Sequence, residues 1–169
     1  TGPRLGATRD VEADGAHAPA GAEQEDDGVV FDTLSLNEST GMVTVNVQNA
    51  PAGAKLDAWI DFDGDGSWGV DGEQIAKSVA VVEGDNALTF AMPSWAVAGA
   101  TYARFRLSTA GGHGPQGTAL DGEVEDHPVA IVDRAPATGV FGGPQVIGSA
   151  TPLFGGDFMV TADVDGDGD

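Results

Sequence analysis

Leu56-Asp57-Ala58-Trp59-Ile60-Asp61-Phe62-Asp63-Gly64-Asp65-Gly66-Ser67 carries two signals in twelve residues. In its first part, Leu56, Ala58, Ile60 and Phe62 line one face and Asp57, Trp59 and Asp61 the other. This period of two marks a half-buried strand. From Asp61 onward, acids at alternate positions enter a glycine-rich turn. A strand that delivers carboxylates into a tight loop is a β-protein signal and a cation-site signal together.

Similar texture extends to both sides. Val29 to Leu36 reads as one strand, Asn37 to Gly41 as a turn, and Met42 to Gln48 as a strand with Val43, Val45 and Val47 on one face. After the turn at Asn49 to Gly53 comes the strand that begins at Leu56. Ile75 to Val82, Ala87 to Met92, Tyr102 to Thr109 and Val124 to Val132 complete the set. In the Tyr102 strand, Ala103, Phe105 and Leu107 point inward and Tyr102, Arg104 and Arg106 outward. Only Ser94 to Ala98 has room for a helical turn. About seven strands with frequent turn residues and no crossover helices predict an all-β fold: an antiparallel β-sandwich of jelly-roll or immunoglobulin-like type, with extended N- and C-terminal arms.

Residues 1–28 are rich in Ala, Gly, Asp and Glu, hold no aromatic, and read as an acidic arm without a core of its own. Residues 29–133 form the sandwich. Residues 134–169 read as a Gly/Pro-rich linker, one more strand near Asp157 to Ala162, and a truncated calcium-loop repeat.

The 169 residues include 27 acids against 7 Lys and Arg, a net charge of −20. Nucleic-acid binding needs clustered cations, and attraction to an anionic membrane surface needs them too, so both are excluded as partners. No apolar run reaches the roughly 18 residues that span a bilayer, and no signal-type segment opens the sequence, which points to a soluble or already processed product. Cysteine is absent, which removes disulfides, thiolate metal sites and cysteine nucleophiles. With 26 Gly and 9 Pro, many turns are expected. So acidic a chain calls for bridging cations or for a saline milieu that screens the charge. Bridging predicts acids clustered in Asp/Gly loops, whereas screening predicts acids spread over exposed faces.

The acids are clustered. Calcium takes about six to eight oxygen ligands, and a loop with acids at positions 1, 3 and 5, Gly at 6 and a backbone carbonyl at 7 wraps them around one ion. Asp61, Asp63, Asp65, Gly66 and Ser67 fill these places, and Asp71 and Glu73 flank position 12. Because a strand enters the loop, a β-sheet variant is expected in place of a helix-flanked hand. A solvated Asp/Gly turn would leave three alternate acids repelling one another. Asp163, Asp165, Asp167 and Asp169 repeat the pattern at the C-terminus, where a solvated acidic tail is the competing reading. Asp121-Gly122-Glu123-Val124-Glu125-Asp126 places Glu123 and Glu125 on one face of a strand and Asp126 on the other. These acids can serve as further ligands or can pair with Arg104 and Arg106 across the sheet. Asp26 and Asp27 are additional candidates.

Catalytic signatures are lacking. Gly64 to Gly69 and Gly112 to Gly117 fit a dinucleotide glycine pattern, but neither opens a helix. His17, His113 and His127 have no neighbouring nucleophile, and no nucleophile elbow is present. No enzymatic activity is expected. Trp59, Trp68 and Trp95 could build a sugar platform, but a core or loop-packing role is the reading preferred for them.

Ala58 to Gly66, Gly72-Glu73-Gln74-Ile75, Thr101 to Ser108 and Asp121 to His127 resemble, in this order, the motifs of the GEVED domain family, named for the stretch Gly122 to Asp126. The resemblance runs from about Asp26 to Val132. Phe141 to Pro144 and Ala162 to Asp169 are similar to the start of an FG-GAP or VCBS-type repeat. The resemblance implies a bacterial, secreted, multidomain surface or adhesive protein made of β-sandwich modules. By motif position it implies calcium at Asp61, Asp63, Asp65 and Glu73.

The expectation is therefore an extracellular, calcium-binding structural or adhesion module of a surface layer or filament, with Ca2+ as cofactor. Its partners would be other copies of itself or neighbouring surface-protein domains, and an arm or edge strand could join them by β-augmentation. The alternative is a carbohydrate-binding module appended to a secreted enzyme, with glycans as partners and Trp68 or Trp95 exposed. A halophilic protein without a specific metal is a third reading.

Overall fold

The structure is a computed structural model, and it describes residues 2–8 and 27–133. These belong to one compact unit. The predicted strand near Asp157 to Ala162, the acidic arm from 9 to 26 and the C-terminal loop Asp163, Asp165, Asp167 and Asp169 lie outside the described residues.

The described chain is all-β. Nine strands run in order: β1 Arg4–Leu5, β2 Val29–Phe31, β3 Leu34–Ser35, β4 Thr40–Gln48, β5 Lys55–Ile60, β6 Gln74–Ala80, β7 Gly84–Ala91, β8 Gly99–Ser108 and β9 Glu123–Val132. They make two sheets. In the first, β1, β2 and β7 all pair with β4; the second runs β3-β9-β8-β5-β6. A two-sheet sandwich is what the alternating sequence predicts, but with nine strands where seven were expected. Two causes account for the difference. Val29 to Leu36 is interrupted at Asp32 and Thr33, where the chain passes from β4 in one sheet to β9 in the other, and β3 joins β9 in parallel. The sequence N-terminal to the sandwich also supplies β1, whose Leu5 is fully buried in the core. Ser94 to Ala98 is a turn and not a helix, closed by the Ala96 amide donating to Pro93 O at 3.0 Å.

The core is the space between the inner faces. Val43, Val45 and Val47 of β4 meet Leu56, Ala58 and Ile60 of β5 and Ala103, Phe105 and Leu107 of β8. Phe62 continues the β5 face past the strand end, packing against Phe90 and Trp95 at centroid distances of 6.3 and 6.2 Å. Phe62 is completely buried, and a side chain of this kind contributes about 1.5–3 kcal/mol. The inward phase of β5 is thereby pinned, and a one-residue slip would turn Asp57, Trp59 and Asp61 into the core.

The outer face of the five-stranded sheet is also covered. Asp57, Trp59, Arg104, Arg106 and Asp126 are buried although they point away from the sandwich interior. The segment after β8 folds back over them. Arg106 donates to Gly114 O and Gly117 O at 2.6 and 2.7 Å, and Arg104 to Pro115 O at 2.9 Å. Asp57 accepts from the Ser78 and His113 amides at 2.8 and 3.1 Å. Ser78 sits at a bulge opposite β5 with φ 49°, and this turns its amide out of the ladder toward Asp57.

Candidate metal centre

β5 ends at Ile60, and the loop 61–73 is closed by the Ile60 amide donating to Glu73 O at 3.0 Å. The loop's first residue is fixed from both sides: the Asp61 amide donates to Tyr102 O, and Thr101 Oγ1 donates to Asp61 O at 2.7 Å. The Asp61 carboxylate organises the turn after it. Its Oδ1 accepts from the Gly64 and Asp65 amides at 2.8 and 3.1 Å, and its Oδ2 from Gly66 at 2.9 Å. Asp63 Oδ1 accepts from Asp65 at 3.1 Å, and Asp65 Oδ1 from Ser67 at 2.7 Å. The winding this requires passes through Gly66 at φ 82°, a region that L side chains rarely enter.

One carboxylate oxygen from each of Asp61, Asp63 and Asp65 lies within 4.8 Å of the others, and this group could hold a metal ion. Three negative charges at this range repel by on the order of 1 kcal/mol per pair even at the dielectric of water. The donor set is all oxygen, which selects hard cations. Asp61 is buried, Asp63 half-buried and Asp65 exposed, so the group opens from the sheet end to solvent.

Of the other predicted ligands, Glu73 is fully buried. Its Oε2 accepts from the Val70 amide at 2.8 Å, and its Oε1 has no hydrogen-bond partner. Burial pushes the Glu73 carboxyl above the usual range, and the charges of Asp63, Asp61 and Asp65 push the same way. Ser67 and Asp71 are exposed, and neither Asp71 nor Glu73 belongs to the mutual group of three.

The additional candidates separate. Asp27 Oδ1 accepts from the Ala7 amide at 2.9 Å and so ties down the segment that carries β1; Asp26 lies outside the described residues. Asp126 grips Arg104 from two sides, at 2.6 Å to Nε and 2.5 Å to Nη2. That is the cross-strand pairing open in the sequence. Glu123 and Glu125 face the other way, in register with Leu107 and Phe105 on the core face. Glu123 Oε2 accepts from the Leu5 amide at 2.6 Å, and Glu125 Oε2 is 2.9 Å from His127 Nε2. Glu123 thereby ties β9 to β1, whereas Glu125 pairs within its own strand and keeps Oε1 buried without a hydrogen-bond partner; none of these acids joins the Asp61 group among the described residues.

Residues 55–130 match the family model of the GEVED domain. The GEVED match covers a little under half of the chain, from the start of β5 into β9, and contains both the Asp61 loop and the Arg104–Asp126 pair. GEVED domains are modules of the secreted and surface type. No curated protein and no solved structure matches the chain. Of the described residues, no helix is long and apolar enough to cross a membrane.

The structure also shows what the GEVED motif does physically. Gly122 has φ 100°, and a Cβ there would lie 1.7 Å from Leu107 O. Glu123 and Glu125 bind inward, and Asp126 binds outward. A packing role for Trp68 was legible in the sequence, but its partner was not. It is 8% exposed and stacks on the Arg104 guanidinium, 4.5 Å from ring centroid to Cζ. Its spacing from Asp61 carries no periodic signal, because it arrives through the loop.

Proposed function

We propose that the chain is a calcium-stiffened, non-catalytic module of the extracellular or cell-surface type, serving adhesion or the assembly of a surface layer or filament. One observation carries the calcium reading: three convergent carboxylates at the end of β5, in a loop whose closing residue, Glu73, keeps a buried oxygen without a partner. Leaving a buried carboxylate oxygen unsatisfied costs more than a neutral group would. A cation with flexible oxygen coordination offsets both this cost and the mutual repulsion of the three aspartates. Asp61, Asp63 and Asp65 would be ligands and Glu73 a further one. The net charge of −20 and the secreted or surface character of GEVED domains agree with calcium as the ion. Crossing from β5 to β6, the bound loop would lock two strands of the five-stranded sheet together.

A carbohydrate-binding role has Trp95, 40% exposed, as its one platform of the two considered, since Trp68 is covered. Trp95 also packs edge-on against Phe62, which gives it a structural task.

Isothermal titration of the full chain with calcium and with magnesium tests the reading. Calcium should bind measurably and at least tenfold more tightly than magnesium, and the double variant Asp63→Asn/Asp65→Asn should lose at least tenfold in calcium affinity. Absence of calcium binding, or unchanged affinity in a double variant that keeps the wild-type fold, contradicts it.

A further inference from the structure

We propose that the open edge of β7 pairs with the β7 edge of a second copy of this chain, the two strands running antiparallel about Leu88. The proposal deepens the assembly part of the proposed function by naming its surface, and it does not depend on calcium at the Asp61 loop.

The hydrogen-bond parity of the four-stranded sheet identifies the edge. The Met92 amide donates to Ser39 O at 2.9 Å. In an antiparallel ladder, bonded and non-bonded pairs alternate. Phe90, Leu88 and Asn86 therefore turn their backbone groups toward Gly41, Val43 and Val45 of β4. The other edge of β4 agrees, with the Asp32 amide donating to Met42 O and the Asn46 amide to Gly28 O. By the same parity, Asp85, Ala87, Thr89 and Ala91 aim their amides and carbonyls away from β4. Among the described residues, no strand other than β4 pairs with β7.

An open edge is a template for pairing unless it is blunted by brevity, bulges, lysine or proline. The other edges are blunted. β1, β2 and β3 have two or three residues, the side of β9 that β3 leaves uncovered carries Pro128, and β6 is bulged, diverts the Ser78 amide to Asp57 and carries exposed Lys77. β7 has eight residues, eight consecutive pairs with β4 and neither Pro nor Lys.

Charge sets the register. Two chains of −20 repel, so contact needs a surface on which no acid faces another. Asp85 is the one charged residue of β7. Pairing about Leu88 sets Ala87 opposite Thr89 of the copy and Asp85 opposite Ala91, with Asn86 opposite Phe90. The two Asp85 residues are then six positions apart along the ladder, roughly 20 Å, and about two Debye lengths at physiological salt. All outward amides and carbonyls from Asp85 to Ala91 find partners, and the two sheets become one.

Sedimentation of the full chain over a range of concentrations, at low and high sodium chloride, tests this together with two variants. Thr89→Pro removes an outward amide while keeping every bond to β4, as proline on a strand edge can. Leu88→Cys places the only thiols of a cysteine-free chain opposite one another. We expect a reversible dimer that strengthens with salt as repulsion is screened, at least tenfold weaker dimerisation in Thr89→Pro, and a disulfide-linked dimer of Leu88→Cys under mild oxidation. A wild-type chain that remains monomeric throughout overturns the proposal, as does a dimer that Thr89→Pro leaves unchanged. Thermal unfolding of Thr89→Pro with and without calcium shows that the variant is folded, and it reads the calcium loop separately from association.

Discussion

Arg104 and Asp126 face each other across β8 and β9 as a two-bonded pair, 2.6 Å from Nε to Oδ1 and 2.5 Å from Nη2 to Oδ2, on the outer side of the sheet and shielded from water. Both side chains are buried. A cation placed there is tolerated because every direction of the guanidinium is used: the carboxylate on one side, Pro115 O on another, and the Trp68 ring against its plane. Removing one member leaves the other as an uncompensated buried charge. Arg104→Ala should therefore destabilise by about 3–5 kcal/mol. Arg104→Lys should recover only part, since an ammonium cannot make the two parallel bonds or the stack. Chemical denaturation of both variants checks this, and a lysine variant as stable as wild type would show that the planar geometry does not matter.

Gly122 is required for two separable reasons. Its φ of 100° costs any L side chain about 1–3 kcal/mol, and a Cβ there would strike Leu107 O. Gly53 has a similar φ of 92° with nothing within 4 Å. Gly122→Ala should lower stability clearly more than Gly53→Ala, and the difference between the denaturation midpoints measures the clash alone.

Asp121, one residue earlier, accepts from the Thr109 amide at 3.0 Å and from Thr109 Oγ1 at 2.7 Å. These bonds favour the charged form and hold the carboxyl below the usual aspartate range. A folded pKa below the unfolded one gives stability that is complete above the ordinary aspartate range and is lost as pH falls through the lowered value. Thr109→Val should flatten this acid limb of the melting temperature against pH. An unchanged limb would assign it to other carboxylates.

How much of this was legible in the sequence depended on what period two can report. It reports phase: Val43, Val45 and Val47, then Leu56, Ala58 and Ile60, then Ala103, Phe105 and Leu107 all face inward as the alternation requires. It does not report cover. Arg104 and Arg106 read as outward, which they are, yet they are buried because the glycine-rich segment after β8 folds over them with no periodicity of its own. Glu123 and Glu125 defeat the polarity rule in the opposite sense. They share the core face with Val129 and Ile131, and the signal was the unbroken phase from Glu123 to Ile131, with His127 in step. The Asp61 loop was fully visible as a motif, since its geometry is local. The unsatisfied oxygen of Glu73 was not, since burial is a property of the fold.

That oxygen yields a prediction of its own. Glu73→Gln removes a buried charge that the three aspartates disfavour and keeps the shape. In chelator the variant should be at least as stable as wild type, and in calcium it should gain less. Melting temperatures in both conditions check the reversal of order; equal gains from calcium would remove Glu73 from the ligand set.

The central claim is that a cation completes the loop at the end of β5. Thermal unfolding of the chain in calcium, in magnesium and in chelator, all at matched ionic strength, tests it most directly. At a hundred-fold excess over its dissociation constant, one ion bound to the native state adds about 2.7 kcal/mol, which for a domain of this size is several degrees. The account predicts that rise in calcium, little of it in magnesium, and its loss in Asp63→Asn/Asp65→Asn. A melting temperature that calcium raises no more than matched sodium chloride would contradict it, and the acids would then be a solvated turn screened by salt.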